Sequence, residues 1–168
     1  KVIYGYPSVE IMEKGRIKLG GCAISEDSPQ YHCNKCEAEW TKQEAIKAAY
    51  DQIIGIHASV GGFSQGYYAV TVNFQTKNLT WTHCLSNQFI EKTISQSTIE
   101  HFRNELQKIE LLNWKRNYND PSILDGTQWE IVIIREKRNL KRSGSNQFPP
   151  EWEEFCETII TISGEEFR

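Results

Sequence analysis

Two cysteines set two residues apart, Cys33-Asn34-Lys35-Cys36, are the side chains in this sequence best placed by type and spacing to do chemistry. A CxxC turn brings two thiolates together locally, which is how a zinc knuckle offers sulfur to a tetrahedral ion. Structural zinc takes four ligands, so one such pair is half a site. Cys22 is a third candidate, although the intervening loop must fold it back. His32 adjoins Cys33, and joint ligation by immediate neighbours is strained. The candidate metal ligands are therefore Cys33, Cys36 and Cys22, with zinc as the candidate cofactor and an incomplete ligand set. Glu37 follows the pair where knuckles commonly use Gly, which tolerates positive φ. Two readings compete: a plain structural turn, and a thioredoxin-like dithiol. The second requires a strand before the pair and a helix opening on it, a pattern missing around Cys33. The metal knuckle is preferred, then the turn, then redox chemistry.

Other constellations have blander readings. His83-Cys84 pairs an imidazole with a thiol, but neighbours on a strand point to opposite faces, so ring and sulfur should diverge. Cys156 falls on an apolar helical stripe and reads as a small core residue. Asp120, Asp125, Glu130, Glu151, Glu153 and Glu154 supply carboxylates without visible pairing, in positions typical of turns, helix starts and solvated faces. Arg135, Lys137, Arg138, Lys141 and Arg142 form a basic patch that could touch phosphates. Cations on a polar edge strand also deter pairing with other chains, and we prefer that reading. No P-loop, dinucleotide fingerprint, HExxH or GxSxG is present.

Composition bounds the class. The 168 residues, 39% hydrophobic and 24% charged, suit a folded domain with a small appendage. A net charge of −3 gives no general attraction to polyanions. Apolar runs such as Ile131 to Ile134 are far shorter than the roughly 18 residues of a membrane span. An odd five cysteines at irregular spacing fit reduced thiols, and the first residues lack a secretory pattern, so a cytoplasmic location is expected.

The elements that must position these groups follow from periodicity. Residues 1–40 are turn-rich with little helical period. Ala45, Ile46, Ala49, Tyr50, Ile53 and Ile54 recur at helical spacing, which predicts a helix capped by Thr41 and stopped at Gly55. Alternation predicts strands at 67–75, 78–84, 128–135 and 138–143. Ser97-Thr98-Ile99-Glu100 reads as a capping box for a helix over 97–110, and Pro149-Pro150 as the start of another over 150–162. The expectation is an α+β fold: a zinc-ribbon-like segment over 1–40, then a domain over 41–168 with one four-stranded antiparallel sheet built from two hairpins. Both later helices should cover one face, with Trp129 and Ile131 turned toward them.

Val2-Ile3-Tyr4-Gly5-Tyr6-Pro7-Ser8, Gly15, Leu19-Gly20-Gly21-Cys22, the Cys33–Cys36 turn and Trp40 together resemble the start of a family of uncharacterised bacterial proteins that open with a CPxC-type, zinc-ribbon-like segment followed by an α+β domain. The likeness continues through Leu112-Asn113-Trp114, Asp125-Gly126-Thr127-Gln128-Trp129 and Gly144-Ser145-Asn146-Gln147-Phe148-Pro149. It implies a first Cys pair just upstream of the segment matching Lys1, absent here, so either that part is missing or the metal has been lost. It implies no activity. The leading functional reading is a non-enzymatic binding or interaction module for an unknown protein or ligand, with no membrane contact. One alternative is a nucleic-acid-associated protein using the knuckle and the basic hairpin. Another is an enzyme whose site draws on Asp125, Asn146 and the His residues.

Overall fold

The computed structural model describes residues 1–13, 17–62, 65–123 and 126–168. The chain divides into two compact units, Lys1–Ala49 and Tyr50–Arg168. In the first, β1 (Val2–Ile3) pairs in parallel with β2 (Lys18–Leu19), and α1 (Val9–Glu13) lies between them in sequence. A short antiparallel hairpin follows, β3 (Tyr31–His32) with β4 (Glu39–Trp40). The helix α2 (Lys42–Asp51) then runs across the division. Its cap is the expected one: Thr41 Oγ1 accepts from the Glu44 amide at 3.1 Å while Glu44 Oε2 accepts from the Thr41 amide at 2.7 Å, a reciprocal capping box.

The second unit is α+β, but its sheet is larger than the four antiparallel strands expected. Among the described residues it has seven: β5 (Ile53–Gly62), β6 (Gly66–Asn73), β7 (Asn78–His83), β8 (Gln88–Thr93), β9 (Asn117–Asn119), β10 (Gln128–Arg135) and β11 (Leu140–Ser145). Their order is β8-β7-β6-β5-β10-β11-β9, antiparallel except for the parallel β11–β9 pair. The hairpins β6–β7 and β10–β11 do share one sheet, joined by β5. That strand is where the helical reading of Ile53 and Ile54 fails. After Asp51 the burial pattern switches from helical to alternating, with Ile56, Ala58 and Val60 buried and His57 and Ser59 half-exposed between them. Backbone bonding on both sides, to β6 and β10, outweighs any continuation of the helix.

The other helices are α3 (Gln96–Lys108), followed by a 3₁₀ turn (Leu111–Asn113), and α4 (Trp152–Ser163). The cap of α3 is Ser95 rather than the expected Ser97: Ser95 Oγ accepts from the Thr98 amide at 3.0 Å. Pro149 and Pro150 precede α4 by a turn, with the Trp152 amide donating to the Pro149 carbonyl at 3.2 Å, and Gly164 in left-handed conformation ends it. Ile99, Phe102 and Leu106 of α3 and Phe155, Cys156 and Ile159 of α4 are buried, as are Ile56, Val70, Leu79 and Ile131 of the sheet.

An aromatic cluster fixes α4 to β10. The Trp129 and Trp152 rings are 4.7 Å apart, Phe148 is 5.1 Å from Trp152, and Trp114 is 5.6 Å from Phe155. Trp129 thus faces the helix as expected, and its indole N–H donates to the Gln147 carbonyl at 2.9 Å. The Gly144-Ser145-Asn146-Gln147-Phe148 stretch is built for this contact. A Cβ on Gly144 would lie 2.3 Å from Trp129 Nε1 and 2.6 Å from the Gln147 carbonyl oxygen.

Gly144→Ala should therefore force the indole or the turn to move, costing about 1–3 kcal/mol of stability by the usual penalty for overpacking. Urea unfolding followed by tryptophan fluorescence measures this. A change below about 0.5 kcal/mol, the level of an ordinary surface substitution, would contradict the packing role.

Candidate functional site

The Cys33–Cys36 turn joins β3 to β4. The hairpin is closed by Tyr31 stacked on Trp40, directly opposite in register, with ring centroids 6.3 Å apart and planes 16° from parallel. Gln30 secures its base, donating its amide to the Trp40 carbonyl at 3.1 Å and accepting the Lys42 amide on Oε1 at 2.6 Å. The Val2 amide donates to the Gln30 carbonyl at 2.9 Å, tying β1 to the same base.

Within the turn, the Cys33 amide donates to the Ala38 carbonyl at 2.9 Å and the Glu37 amide to the Cys33 carbonyl at 2.8 Å. The second bond reverses the chain only because Glu37 adopts φ 59°, the left-handed region where a Cβ is unfavourable by roughly 1–2 kcal/mol. The residue type departs from the usual Gly, and the backbone keeps the conformation a Gly would supply. As a result the Cys36 amide, the Lys35 amide and the Cys36 thiol all point at the Cys33 sulfur, and they hold the Cys33 thiol below its ordinary pKa in that order of importance. Cys33 is half-buried and Cys36 exposed. This is an arrangement that favours thiolate, the form that ligates metal or attacks disulfides.

Cys22 is exposed, and among the described residues no three His, Cys, Asp or Glu side chains gather where a metal ion could sit. The turn therefore assembles two sulfurs and does not add Cys22 to them. His32 leans toward Glu39, its Nδ1 at 3.8 Å from Oε1, and Lys18 lies 2.7 Å from the same carboxylate oxygen. The hydrogen bond from Lys18 holds the Glu39 carboxyl below the usual range.

The remaining candidates are engaged elsewhere. His83 and Cys84 diverge: the imidazole meets Ser86 Oγ at 2.9 Å through Nδ1 and the Gln65 carbonyl at 3.1 Å through Nε2, whereas the Cys84 sulfur accepts the Tyr67 amide at 3.0 Å. A carbonyl only accepts, so Nε2 carries the proton in the neutral ring. Burial pushes the Cys156 thiol up to about 12, as for an inert core residue. Asp120 accepts from the Ser122 hydroxyl and amide, which lower its pKa and close a local turn. Asn146, at φ 57°, donates Nδ2 to the Ile123 carbonyl at 3.2 Å and bridges to Ser145 Oγ at 3.3 Å. Asp125 lies outside the described residues. Glu153 pairs with Arg168 at 2.9 Å and Glu130 with Lys141 at 2.5 Å.

The basic patch is also divided by its strand. Lys141 turns to Glu130, while Arg142 is half-buried and donates to the Leu112 carbonyl at 3.0 Å, its pKa lowered chiefly by burial. β9 lies beyond β11 only along Ser143–Ser145, so among the described residues the Leu140–Arg142 stretch that carries Lys141 and Arg142 has β10 as its strand partner and keeps its other side as sheet edge. A hollow of about 470 Å³ lies between α3 and α4, over Phe102 and Ile162. Another of about 410 Å³ opens on the polar sheet face around Ser59, Gln128 and Ser143. Neither gathers His, Cys, Asp or Glu into a metal-holding group among the described residues.

Among the described residues no helix is long and apolar enough to cross a membrane. No protein-family model matches the chain, and a search of curated proteins returned no match.

Because the Cys33 thiolate is stabilised by the turn and the Cys156 thiol is buried, iodoacetamide should modify Cys33 at lower pH than an ordinary thiol of pKa about 8.5 and leave Cys156 unmodified in the folded protein. Peptide mass spectrometry across pH 5–9 reads this out. Cys33 alkylation with the midpoint of a free thiol would contradict the proposed role of the amides.

Proposed function

We propose that this chain is a non-enzymatic binding module whose N-terminal unit is a zinc-ribbon-like contact element, with Cys33 and Cys36 as zinc ligands. The observation that carries the reading is how little core the unit has. Among the described residues of Lys1–Ala49, Val2 is the only apolar side chain that is buried, and Tyr6, Val9, Met12, Leu19 and Ile24 are exposed. Units this small rarely fold on so little burial, and they are stapled by disulfides or metal instead. The five cysteines are unpaired, so this reading assigns the stapling to a metal held at the Cys33–Cys36 turn.

The donor chemistry fits. Thiolates at a CxxC turn are the ligands zinc prefers, and a bound zinc ion would supply structural cross-linking rather than catalysis. Cys33 and Cys36 would hold it. Cys22 would join them only by moving from the place it holds, since it is not gathered with the pair among the described residues, and the family resemblance implies a first Cys pair before the segment matching Lys1. The exposed Tyr6, Val9, Met12 and Ile24 would be the contact surface of the stapled element.

Elemental analysis of the purified protein, with Cys33→Ser and Cys36→Ser beside the parent, tests this. Zinc bound by the parent and lost from both variants is the expected result, and zinc retained in both would refute the assignment. Removing the metal with a chelator should raise amide exchange throughout Lys1–Ala49 while leaving the Tyr50–Arg168 sheet protected, because metal binding and folding are coupled only in the first unit.

A further inference from the structure

We propose that the hollow of about 410 Å³ on the polar face of the sheet is a binding site for a neutral saccharide, with Tyr67 as the platform for a sugar ring and Ser59, Asn119, Gln128 and Ser145 as its hydrogen-bonding groups. The site lies wholly in Tyr50–Arg168 and is independent of the zinc reading of the first unit.

The strand register builds it. Residues directly opposite on paired strands point to the same face, so Tyr67, Gly61, Gln128, Ser145 and Asn119 form one row across β6, β5, β10, β11 and β9. Ser59, Glu130 and Ser143 form the next row on that face. Gly61 places no side chain between Tyr67 and Gln128, and the volume of the hollow falls within the roughly 300–1,000 Å³ of small-molecule sites. Because β5 and β10 are bonded on both sides, these groups are in place before a ligand arrives, which lowers the ordering cost of binding.

The chemistry of the lining selects the ligand. The side chains of Ser59, Tyr67, Asn119 and Gln128 form no hydrogen bond within the described protein. Hydroxyls and carboxamides each donate and accept, as sugar hydroxyls do. Ser143 and Ser145 make contacts of only 3.3 Å, to Asn117 and Asn146, so their hydroxyls are weakly held. The one carboxylate among the described lining residues, Glu130, is neutralised by Lys141 at 2.5 Å, which leaves no net charge there to draw a phosphate or a cation. Tyr67 is 40% exposed, an aromatic surface against which the C–H face of a pyranose can pack. Its backbone is pinned by Cys84, whose amide donates to the Tyr67 carbonyl at 3.0 Å and whose sulfur accepts the Tyr67 amide at 3.0 Å.

The test probes an array of neutral, sialylated and sulfated saccharides with the full chain, then titrates the strongest neutral binder into isotope-labelled protein and follows the amide resonances. Neutral saccharides should be bound, and the shifts should centre on Ser59, Tyr67, Gln128 and Ser143–Ser145. Tyr67→Ala should weaken binding about 10-fold or more, and Gln128→Ala about 2–10-fold. Both side chains are exposed, so the urea midpoints of both variants should match the parent. An array on which nothing neutral binds, or on which only anionic saccharides bind, would overturn the proposal. So would shifts centred on the hollow between α3 and α4, or affinity unchanged in both variants. The shift map is made on the parent chain, so it decides the location even where a variant fails to fold.

Discussion

The sheet of Tyr50–Arg168 depends on one strand that bonds on both sides. β5 pairs with β6 from Gly55 to Gly62 and with β10 from Ile53 to Gly61. Without it the two hairpins would be separate ribbons, each exposing an edge. Its side chains obey the same constraint. Ile56, Ala58 and Val60 go under the helices, and His57 and Ser59 go to the polar face, where His57 Nδ1 meets Thr71 Oγ1 at 2.9 Å. Because a strand's side-chain period is two, shifting this register by one residue would exchange every one of those positions. The aromatic cluster around Trp129 follows from that register, since β10 takes its alignment from β5.

The N-terminal unit is organised by the opposite logic. Where the sheet is held by burial, Lys1–Ala49 is held by hydrogen bonds, several of them between distant residues such as Val2 with Gln30 and Gly5 with Gly21, and has strands of two residues and one buried apolar side chain among those described. Such a unit buries little apolar surface, so burial contributes little to holding it. The left-handed Glu37 is the visible cost of keeping the Cys33–Cys36 turn.

Much of this was legible in the sequence where a local rule governs. The Thr41 cap, the alternation in β6, β7 and β10, the apolar stripe of α4 and the divergence of His83 from Cys84 are all consequences of period and geometry over a few residues. What failed needed partners distant in sequence. Ile53 and Ile54 continue the spacing of α2, and only pairing to β6 and β10 makes them strand. Gln88–Thr93 carries little alternation because β8 is an edge strand with Phe89 exposed, and Asn117–Asn119 is too short and polar to announce a strand at all. At the candidate site, the CxxC spacing named the sulfurs. The stacked Tyr31 and Trp40, the anchoring by Gln30 and the amides aimed at Cys33 were not readable, since each depends on a backbone conformation rather than a residue type.

The central claim is that sulfur of this turn ligates the metal, and X-ray absorption at the zinc edge of the metal-loaded protein tests it most directly. The account predicts a first shell containing at least two sulfur scatterers at about 2.3 Å, replaced in part by lighter atoms when Cys33 or Cys36 is changed to Ser. A first shell made only of nitrogen and oxygen at about 2.0–2.2 Å would contradict it.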